Sequence, residues 1–331
     1  MKSFSDIVVN FSSKRVVVIG DAIADQFIYG EISRVSREAP VFILRHEHTE
    51  TTPGGAGNCA ANLASLGAQV RLVSVVGDDE AGRMLLQKLR GCGIDTNSVF
   101  VADERRTTTK VRVLAGHIHS TRQQVIRIDY DEETELSSSV SEQLRAAVER
   151  TVADADAVII SDYNYGVASP EIGAVVREAN QTRKVPVLVD SRFRLSQFPG
   201  FTSATPNEDE VEELLGAEHA GKTALATAAE DLRRDLGYEA LLVTRGGHGM
   251  TLVEAKEAPV HIDAVGARQP LDVTGAGDTV IATYALALAS GASFDEAARL
   301  ANFAGGIVVM KRGTATVTGS ELLAAALNKE K

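Results

Sequence analysis

The chain contains Asp272-Val273-Thr274-Gly275-Ala276-Gly277-Asp278-Thr279, a stretch that places a carboxylate just inside a helix beginning with three small residues. Small residues let backbone N–H groups approach an anion closely, and the helix predicted through Val280 to Leu286 points its positive dipole end at the same place. Asp278 would then lie where it can remove a proton from a hydroxyl group beside a bound phosphate. The alternative is purely structural: Thr274 caps the helix, and Asp278 stabilises its first turn by roughly 0.3–1 kcal/mol.

The composition is that of a globular, acidic chain. Its 331 residues are 44% hydrophobic and carry a formal net charge of −11 at pH 7. This length fits one large α/β domain or two smaller ones, and the charge argues against a nucleic-acid partner. A phosphorylated ligand must therefore be held by local positive features such as helix N-termini. The two cysteines, Cys59 and Cys92, provide neither a disulfide framework nor a metal cluster.

The sequence carries no signal for export or membrane insertion. Its start lacks the basic-then-apolar pattern of a signal peptide, and no apolar run approaches the roughly 20 residues needed to cross a bilayer. We therefore expect a cytoplasmic protein without a membrane partner.

Short β-branched runs alternate with amphipathic stretches along most of the chain. Predicted strands lie at 15–19, 70–75, 157–161 and 187–190, and predicted helices lie at 58–66, 80–90, 139–152 and 170–180. This alternation predicts an α/β fold with a mostly parallel central sheet flanked by helices, in a single domain spanning 1–331. The segments at about 28–52 and 107–130 break the alternation. We expect them to form a small β-sheet lid over one edge of the main sheet.

Two acids follow the first predicted strand, in Gly20-Asp21-Ala22-Ile23-Ala24-Asp25. Open α/β sheets bind ligands at the carboxyl ends of their strands, and a carboxylate can accept hydrogen bonds from neighbouring sugar hydroxyls. A nicotinamide-dependent dehydrogenase would need a Gly-x-Gly-x-x-Gly turn here, and the sequence has none. Asp21 and Asp25 are therefore candidate sugar ligands, with a turn-capping role for Asp21 as the alternative.

A second glycine-rich helix start is Pro53-Gly54-Gly55-Ala56-Gly57-Asn58. Its glycines let the backbone approach a ligand, and Asn58 adds an amide that can both donate and accept. On its own, this motif could be a plain turn into a helix. With two such helix starts in one chain, a site for two ligands becomes the better explanation.

These residues resemble the ribokinase-like (PfkB) carbohydrate kinases over essentially the whole chain. The segment from Asp272 to Asp278 is similar to that family's C-terminal signature, and the segment from Gly54 to Asn58 is similar to its N-terminal one, roughly 200 residues earlier. The resemblance implies a three-layer ribokinase-like fold. It also implies that Asp278 removes the proton from the accepting hydroxyl, while the amides of Gly275, Ala276 and Gly277 stabilise the transferring phosphoryl group.

The resemblance further implies ATP and Mg²⁺ as cofactors, and it leaves open a monovalent cation (K⁺) behind the Gly275 loop. Asn207-Glu208-Asp209-Glu210 is similar to the family's Asn-x-x-Glu motif, in which Glu210 would place Mg²⁺ through water, with Asp190 as a second carboxylate on the metal side. The turn from Thr244 to Gly249 resembles the one that lines the nucleotide. The implied nucleotide-side residues are Asn207, Glu210, Thr244, Gly246, Gly249, Thr274 and Asn302.

A closer resemblance concerns the lid. The segment from Tyr29 to Pro40, with the stretches 109–113, 123–129 and 161–163, is similar to bacterial D-glycero-D-manno-heptose 7-phosphate kinases. Such enzymes move the ATP γ-phosphate to the anomeric hydroxyl, giving the 1,7-bisphosphate used for lipopolysaccharide core sugars. Their bifunctional relatives carry a nucleotidyltransferase domain with a His-x-Gly-His motif, which this sequence lacks. We therefore expect a stand-alone kinase.

The implied substrate residues come from the strand ends and from the lid. The sugar-side candidates are Asp21, Asp25, Gly54, Gly55, Asn58 and Asp162. The basic lid residues that could bind the 7-phosphate are Arg34, Arg37, Lys110, Arg112 and Arg127. Taken singly, each of these cations could equally be a solvated charge on a strand. The lid also predicts a homodimer, because small sheets with open edges tend to pair.

Two positions depart from the family pattern. Asp190-Ser191-Arg192 stands where many of these kinases have Asp-Pro-Lys, and Tyr165 stands where a lysine is usual. Contacts from these positions to the nucleotide or to phosphate are left open.

Other assignments remain as alternatives. Ribokinases, phosphofructokinase-like enzymes and ketodeoxygluconate kinases share the two glycine motifs. A non-catalytic sugar or nucleotide sensor would be marked by loss of the base, and Asp278 is present. A histidine metal site would use His46, His48, His117 and His119, but nothing supplies further ligands at matching distance.

Overall fold

The computed structural model describes residues 3–116, 122–131, 136–216, 221–266 and 269–329. The strands are β1 (Arg15–Gly20), β2 (Ala22–Val35), β3 (Phe42–Gly55), β4 (Gln69–Gly77), β5 (Asp95–Ala102), β6 (Thr109–Gly116), β7 (Gln123–Tyr130), β8 (Ala157–Asp162), β9 (Val187–Ser191), β10 (Ser203–Ala204), β11 (Ala240–Thr244), β12 (Met250–Glu254) and β13 (Val260–Ile262). The helices are α1 (Phe4–Val9), α2 (Ala56–Ser65), α3 (Glu80–Gly91), α4 (Ser138–Val152), α5 (Pro170–Ala179), α6 (Glu208–Leu215), α7 (Lys222–Leu236), α8 (Ala276–Ala289), α9 (Phe294–Val308) and α10 (Gly319–Lys329).

The main sheet has nine strands in the order β13-β12-β11-β10-β9-β8-β1-β4-β5. Its pairs are parallel from β11 to β5, and the two pairs at the other end, β11–β12 and β12–β13, are antiparallel. The mostly parallel sheet expected from the sequence is therefore confirmed. Because parallel strands point the same way, the residues that follow β1, β8, β9 and β11 all reach the same edge of the sheet.

Helices cover both faces of this sheet. Along β1, Val16 and Val18 pack into one apolar core, whereas Val17 and Ile19 pack into the other. The first core contains buried residues of α1, α2, α3, α8, α9 and α10, and the second contains those of α4, α5, α6 and α7. A strand buried on both faces explains the uninterrupted β-branched run in the sequence, and the result is a three-layer α/β/α architecture.

A separate four-stranded sheet, which we call the lid, has the order β3-β2-β6-β7. The pairs β2–β3 and β6–β7 are antiparallel, and β2–β6 is parallel. The expected lid segments are confirmed, but β2 begins at Ala22 and β3 ends at Gly55, with these two residues paired. Strand β2 therefore follows β1 almost directly, and β3 runs directly into the helix α2. The lid is thus anchored at the end of β1 and at the glycine-rich start of α2.

Close backbone contact fixes the end of β1. A Cβ atom on Gly20 would lie 2.0 Å from the carbonyl oxygen of Ser161 on β8. Only glycine allows the two strands to approach this closely, and this approach brings Asp21 beside the loop that follows β8. Among the described residues, no helix is long and apolar enough to span a membrane.

Candidate active site

The site is centred on the carboxylate of Asp278 in the first turn of α8. Its side chain is buried, with 3% of the residue exposed. The amide of Asn58 donates to Oδ2 at 2.8 Å, and the hydroxyl of Tyr163 donates to Oδ1 at 2.9 Å. The start of α2, the start of α8 and the loop after β8 thus meet at one carboxylate. The binding of two ligands there stays a prediction.

A buried network fixes the donor amide of Asn58. Asn62 donates to the carbonyl of Asn58 at 3.0 Å, and the hydroxyl of Thr279 donates to Asn62 at 3.0 Å. A Cβ atom at Gly275, whose φ is +75°, would lie 2.3 Å from the Asn58 amide nitrogen. Glycine is therefore required at position 275 both by its backbone conformation and by the approach of Asn58.

Burial controls the ionisation of the central carboxylate. Loss of solvation raises the pKa of Asp278 to about 7, although the hydrogen bonds from Asn58 and Tyr163 and the charge of Lys110 act in the opposite direction. The carboxylate of Asp25 raises the pKa of Asp278 further, and Asp278 in turn raises the pKa of Asp190 and Cys59. A pKa near neutrality is common for general bases, because such a group is partly ionised and still accepts a proton readily.

A cleft of about 840 Å³ lies beside the start of α8. The predicted nucleotide and phosphoryl residues that line it are Thr244, Gly246, Gly249, Ala276, Gly277 and Asn302. A Cβ atom at Gly277 would meet nothing within 4 Å, so this part of the helix start faces open space. The exposed first turn of α8 can therefore receive an anion at the floor of the cleft. The turn before it is braced by Asp272, which accepts from the backbone of Thr274 and Gly313.

The Asn-x-x-Glu motif forms a capping box at the start of α6. The Asn207 side chain accepts from the backbone of Glu210 at 2.8 Å, and the Glu210 carboxylate accepts from the backbone of Asn207 at 2.9 Å. Thr244 lies beside Asn207 through a β-bridge. The motif thus has a structural function that would also hold Glu210 in a fixed position.

Acidic side chains converge next to this capping box. Burial raises the pKa of Asp190 well above its ordinary value, and the nearby carboxylates of Glu210, Asp278 and Asp162 raise it further. A divalent cation would relieve this repulsion. No group of three or more Asp, Glu, His or Cys side chains is arranged for direct metal coordination in the part of the chain that the structure describes. The crowded carboxylates of Asp190 and Glu210 fit Mg²⁺, an ion that is commonly bound through one or two carboxylates together with water and phosphate oxygens.

The sugar-side candidates separate into available and occupied groups. Gly54 lies against Asp25, because a Cβ atom at Gly54 would be 2.5 Å from the Asp25 carboxylate. Asp25 is itself bonded to Arg112 at 2.5 Å. Gly55 has a φ of +54°, and its Cβ atom would meet the Asp21 carbonyl at 2.6 Å. These contacts hold the two glycines against Asp25 and Asp21 at the base of the lid, directly before the helix α2 that carries Asn58.

Asp21 and Asp162 have other partners than those expected. The Asp21 carboxylate accepts from the backbone of Tyr163, Tyr165 and Val167 at 2.9–3.1 Å. The Asp162 carboxylate accepts from Ser191 and Arg194, and both acids are 2% exposed. Both carboxylates thus have structural partners in this structure, and their contact with sugar hydroxyls stays a prediction. Their hydrogen bonds hold the loop after β8, which carries Tyr163.

The lid cations are spread along two strands. Lys110 and Arg112 lie near the base of the lid on β6, and Arg127 is opposite Arg112 on β7. Arg34 is exposed near the far end of β2, nine residues beyond Asp25. At about 3.3 Å per residue, that separation is roughly 30 Å, so the structure does not bring Arg34 to the site of this chain.

Two residues that the sequence did not assign belong to the site. From the sequence, Tyr163 was named only within the stretch 161–163, which is similar to heptose 7-phosphate kinases. The position of Tyr163 directly after a buried strand was a signal for a role at the sheet edge. Arg192 follows β9 and is exposed. Burial is the main cause of the lowered pKa of Lys110 and of the raised pKa of Glu210, and the charge of Arg192 adds to the first shift and opposes the second. Arg192 therefore acts electrostatically on one residue of the lid and on one residue of the capping box.

The histidine metal site finds no support among the described residues. His46 lies 2.9 Å from the Thr49 hydroxyl, and His48 stacks on Tyr29 with ring centroids 4.4 Å apart. His117 and His119 lie outside the described residues.

Comparisons with known proteins agree with this geometry. A family model described as pfkB family carbohydrate kinase matches residues 13–320. A protein from Trichlorobacter lovleyi named Bifunctional protein HldE is 40% identical over 315 residues, which are 95% of this chain and 63% of that protein. A protein of the same name from Caulobacter vibrioides is 43% identical over 329 residues, which are 96% of this chain and 64% of that protein. The chain thus spans less than two thirds of the length of these relatives.

Solved structures confirm the ribokinase-like fold. Arabidopsis thaliana ribokinase, complexed with ribose and ATP, matches with a TM-score of 0.73 at 23% identity, covering 95% of this chain and 98% of that one. Escherichia coli phosphofructokinase-2 in complex with potassium matches with a TM-score of 0.78 at 19% identity, covering 96% and 99%. At these identities the likeness concerns the fold alone.

The raised pKa of Asp278 predicts a stability cost that depends on pH. A carboxyl group whose pKa is higher in the folded protein favours folding below its unfolded pKa and loses that contribution as the pH rises towards about 7. As the pH is raised from 5 to 8, the unchanged protein should lose roughly 2–3 kcal/mol of unfolding free energy through Asp278. Asp278→Asn should not show this loss, so its stability should rise by that amount relative to the unchanged protein. Urea unfolding at both pH values measures this difference. The exposed Asp103→Asn is the control, and an equal gain for both variants would contradict the prediction.

Proposed function

This chain belongs to the pfkB family of carbohydrate kinases, and from that membership we propose that it transfers the γ-phosphate of ATP to the anomeric hydroxyl of D-glycero-D-manno-heptose 7-phosphate. The product is heptose 1,7-bisphosphate, which feeds the synthesis of lipopolysaccharide core sugars. The observation that carries the proposal is the buried Asp278 carboxylate, held by Asn58 and Tyr163 beside the cleft at the start of α8. The choice of heptose 7-phosphate rests on the resemblance of the lid sequence. Further activities of the longer relatives lie outside the proposal.

Asp278 acts as the general base. It accepts the proton of the sugar hydroxyl while that oxygen forms a bond to the γ-phosphorus of ATP. The bond from the γ-phosphorus to the bridging oxygen breaks, and its electron pair leaves with ADP. With a pKa of about 7, Asp278 is both substantially ionised and a useful proton acceptor near neutral pH. The amides of Gly275 and Gly277 offer hydrogen bonds to the charge that develops on the phosphoryl oxygens. The amide of Ala276 donates to the carbonyl of Val273 at 3.2 Å and would exchange that partner for a phosphoryl oxygen.

The nucleotide is proposed to lie in the cleft between the Thr244–Gly249 turn and α8. Glu210 and Asp190 would hold Mg²⁺ through water, where the ion supplies positive charge to the phosphates. K⁺ is proposed behind the Gly275 turn, and the potassium complex of phosphofructokinase-2 supports this only by analogy. These assignments leave the space between Asp25, Gly54 and Asn58 for the sugar.

Arg112 is proposed as the main ligand of the distal phosphate. Its guanidinium lies on the face of the lid that also carries Lys110, where it lies over the Phe27 ring at 5.4 Å and is bonded to Asp25. Arg127, directly across the sheet on β7, is the second cation on this face, although Asp129 already pairs with it at 2.9 Å. Arginine suits phosphate because its planar fork can donate two parallel hydrogen bonds.

The opposite face of the lid supports a homodimer. Strand register places the apolar side chains of Ile28, Val113, Ile126 and Ile128 together on that face. Ile126 and Ile128 are 54% and 41% exposed, and β7 leaves one edge of the sheet unpaired. An exposed apolar face beside an open edge is typical of an interface. We propose that a second copy of the chain covers it.

Other sugar kinases are the alternative within the same family. Ribokinase-type and phosphofructokinase-type acceptors would use the same base and the same cleft. The buried hydrogen bonds of Asp278 weigh against a non-catalytic sensor, because a sensor has no need for an ionisable group held in an apolar environment.

The reaction predicts a defined substrate preference. Purified protein with Mg-ATP should release ADP fastest with heptose 7-phosphate, compared with unphosphorylated heptose, ribose, fructose 6-phosphate, tagatose 6-phosphate and ketodeoxygluconate.

The variant Asp278→Asn tests the base. It should lower turnover by about 10²-fold or more, since it removes the base, while ATP binding stays nearly unchanged. Replacing potassium by tetramethylammonium in the assay tests the K⁺ proposal. Normal turnover by Asp278→Asn, or preference for another sugar, would contradict the assignment of the base or of the substrate respectively.

Arg112 predicts selectivity for a phosphorylated sugar. Arg112→Gln should lower kcat/KM for heptose 7-phosphate by about 10- to 100-fold, the effect of losing a charged hydrogen-bonded contact. The value for unphosphorylated heptose should change little. Arg106→Gln, an exposed arginine in the loop before β6, is the control. Equal losses on both sugars would rule out a contact between Arg112 and the distal phosphate.

The lid interface predicts that one face of β7 controls assembly. The unchanged protein should sediment as a dimer, and Ile126→Asp should sediment as a monomer because it buries a charge in the interface. Val125 is 43% exposed and points to the other face of the same strand. Val125→Asp should therefore remain dimeric. A monomeric unchanged protein, or a dimeric Ile126→Asp variant, would contradict the proposed interface.

A further inference from the structure

Lys110 is a buried lysine whose ammonium group lies between two aromatic rings. The residue is 9% exposed. Its Nζ atom is 5.6 Å from the centroid of the Tyr163 ring and 5.9 Å from that of the Tyr165 ring. Aromatic rings attract a cation through their quadrupole but do not neutralise its charge. The ammonium group is thus held in place while its charge stays available.

The strands on either side of Lys110 carry carboxylates that pair with other residues. In the lid register, Lys110 is opposite Asp25 on β2 and opposite Asp129 on β7. Asp25 is bonded to Arg112 at 2.5 Å, and Asp129 is bonded to Arg127 at 2.9 Å. Asp25 is thus paired with Arg112, two residues beyond Lys110 on β6, and Asp129 is paired with Arg127, two residues earlier on its own strand β7. This arrangement leaves the charge of Lys110 without a close carboxylate among the described residues.

A buried cation without an anion is unfavourable, so its retention calls for an explanation. Burial lowers the pKa of Lys110, and the repulsion of Arg192 and Arg127 lowers it further, against the longer-range attraction of Asp25 and Asp129. Charged side chains are rarely buried unless they are paired. A cation kept in such a position is ready for an anion that arrives with a ligand.

The position of Lys110 identifies that anion. The Tyr163 ring that supports the ammonium group carries the hydroxyl that donates to Asp278, so Lys110 lies on the lid side of the base. Arg112, by contrast, is two residues further along β6, about 7 Å from Lys110 along the strand. The Tyr163 ring thus joins Lys110 to the base, whereas Arg112 lies further along the strand and is paired with Asp25.

A second ring of the same loop completes this placement. The Tyr165 ring contacts the ammonium group of Lys110, so position 165 faces the same space as Lys110. We propose that Lys110 is a catalytic residue that contacts the transferring phosphoryl group and supplies positive charge to it from the lid. This proposal rests on the kinase function but not on the identity of the sugar. It removes Lys110 from the set of distal-phosphate ligands.

The role makes a distinct prediction for the variant Lys110→Met. Turnover should fall by about 10²- to 10³-fold, the range observed when one group that stabilises transition-state charge is removed. The loss should be the same for phosphorylated and unphosphorylated forms of the acceptor sugar. Lys88→Met, an exposed lysine on α3, is the matched control and should keep full activity. Lys110→Met/Tyr165→Lys should recover part of the lost turnover, because the cation returns from the other side of the same space.

A binding measurement tests the contact without any turnover. ADP with aluminium fluoride imitates the transferring phosphoryl group, and calorimetry can compare its affinity with that of ADP alone. The unchanged protein should bind the aluminium fluoride complex much more tightly than ADP. Lys110→Met should lose about 10²-fold or more of that preference while its affinity for ADP stays within a few-fold.

Three results would overturn the proposal. The first is an unchanged preference of Lys110→Met for the aluminium fluoride complex. The second is a loss of kcat/KM confined to phosphorylated acceptors, which would make Lys110 a ligand of the distal phosphate. The third is failure of Tyr165→Lys to restore any turnover in a folded double variant. If no sugar is phosphorylated by the unchanged protein, the proposed function fails, and the calorimetric comparison still decides the role of Lys110.

Discussion

The structure of the site depends on keeping one carboxylate in a buried position. Asp278 is almost inaccessible to water, and it is stable there because Asn58 and Tyr163 donate to its two oxygens. Those donors belong to α2 and to the loop after β8, so the requirement joins three distant parts of the chain. Gly275 must lack a side chain for Asn58 to reach the carboxylate, and Asp21 must bind the backbone around Tyr163 to hold its loop. Burial gives the base a pKa of about 7.

The lid complements this buried acid with an ordered set of charges. Its cleft side pairs Asp25 with Arg112 and Asp129 with Arg127, and it leaves Lys110 between two tyrosine rings. Its other side is apolar at Ile126 and Ile128. Alternation along a strand allows one sheet to serve both purposes, because successive side chains point to opposite faces. Under the proposed function, the lid combines substrate recognition on one face with assembly on the other in a single four-stranded sheet.

The sequence predicted the parts of the molecule that depend on local pattern. The buried strands, the two glycine-rich helix starts and the separate lid follow from periodicity and from residues with special backbone requirements. Asn58 and Asp278 could be paired because both motifs begin helices at the same sheet edge. The partners of Asp21 and Asp162 could not be predicted. They are backbone groups for Asp21 and an arginine for Asp162, and they come close only because the parallel strands end at the same edge of the sheet. Tyr163 was missed for the same reason: its hydroxyl reaches a residue 115 positions away.

The ionisation of Asp278 is the most direct test of this account. Carbon-13 NMR of protein labelled at aspartate carboxyl groups can follow each resonance with pH, and the signal missing from Asp278→Asn identifies the one that matters. The account predicts that this carboxyl group titrates near pH 7, because burial outweighs its hydrogen bonds. A titration near pH 4, typical of a solvated aspartate, would contradict it and would show that the carboxylate is neither buried nor tuned as a base.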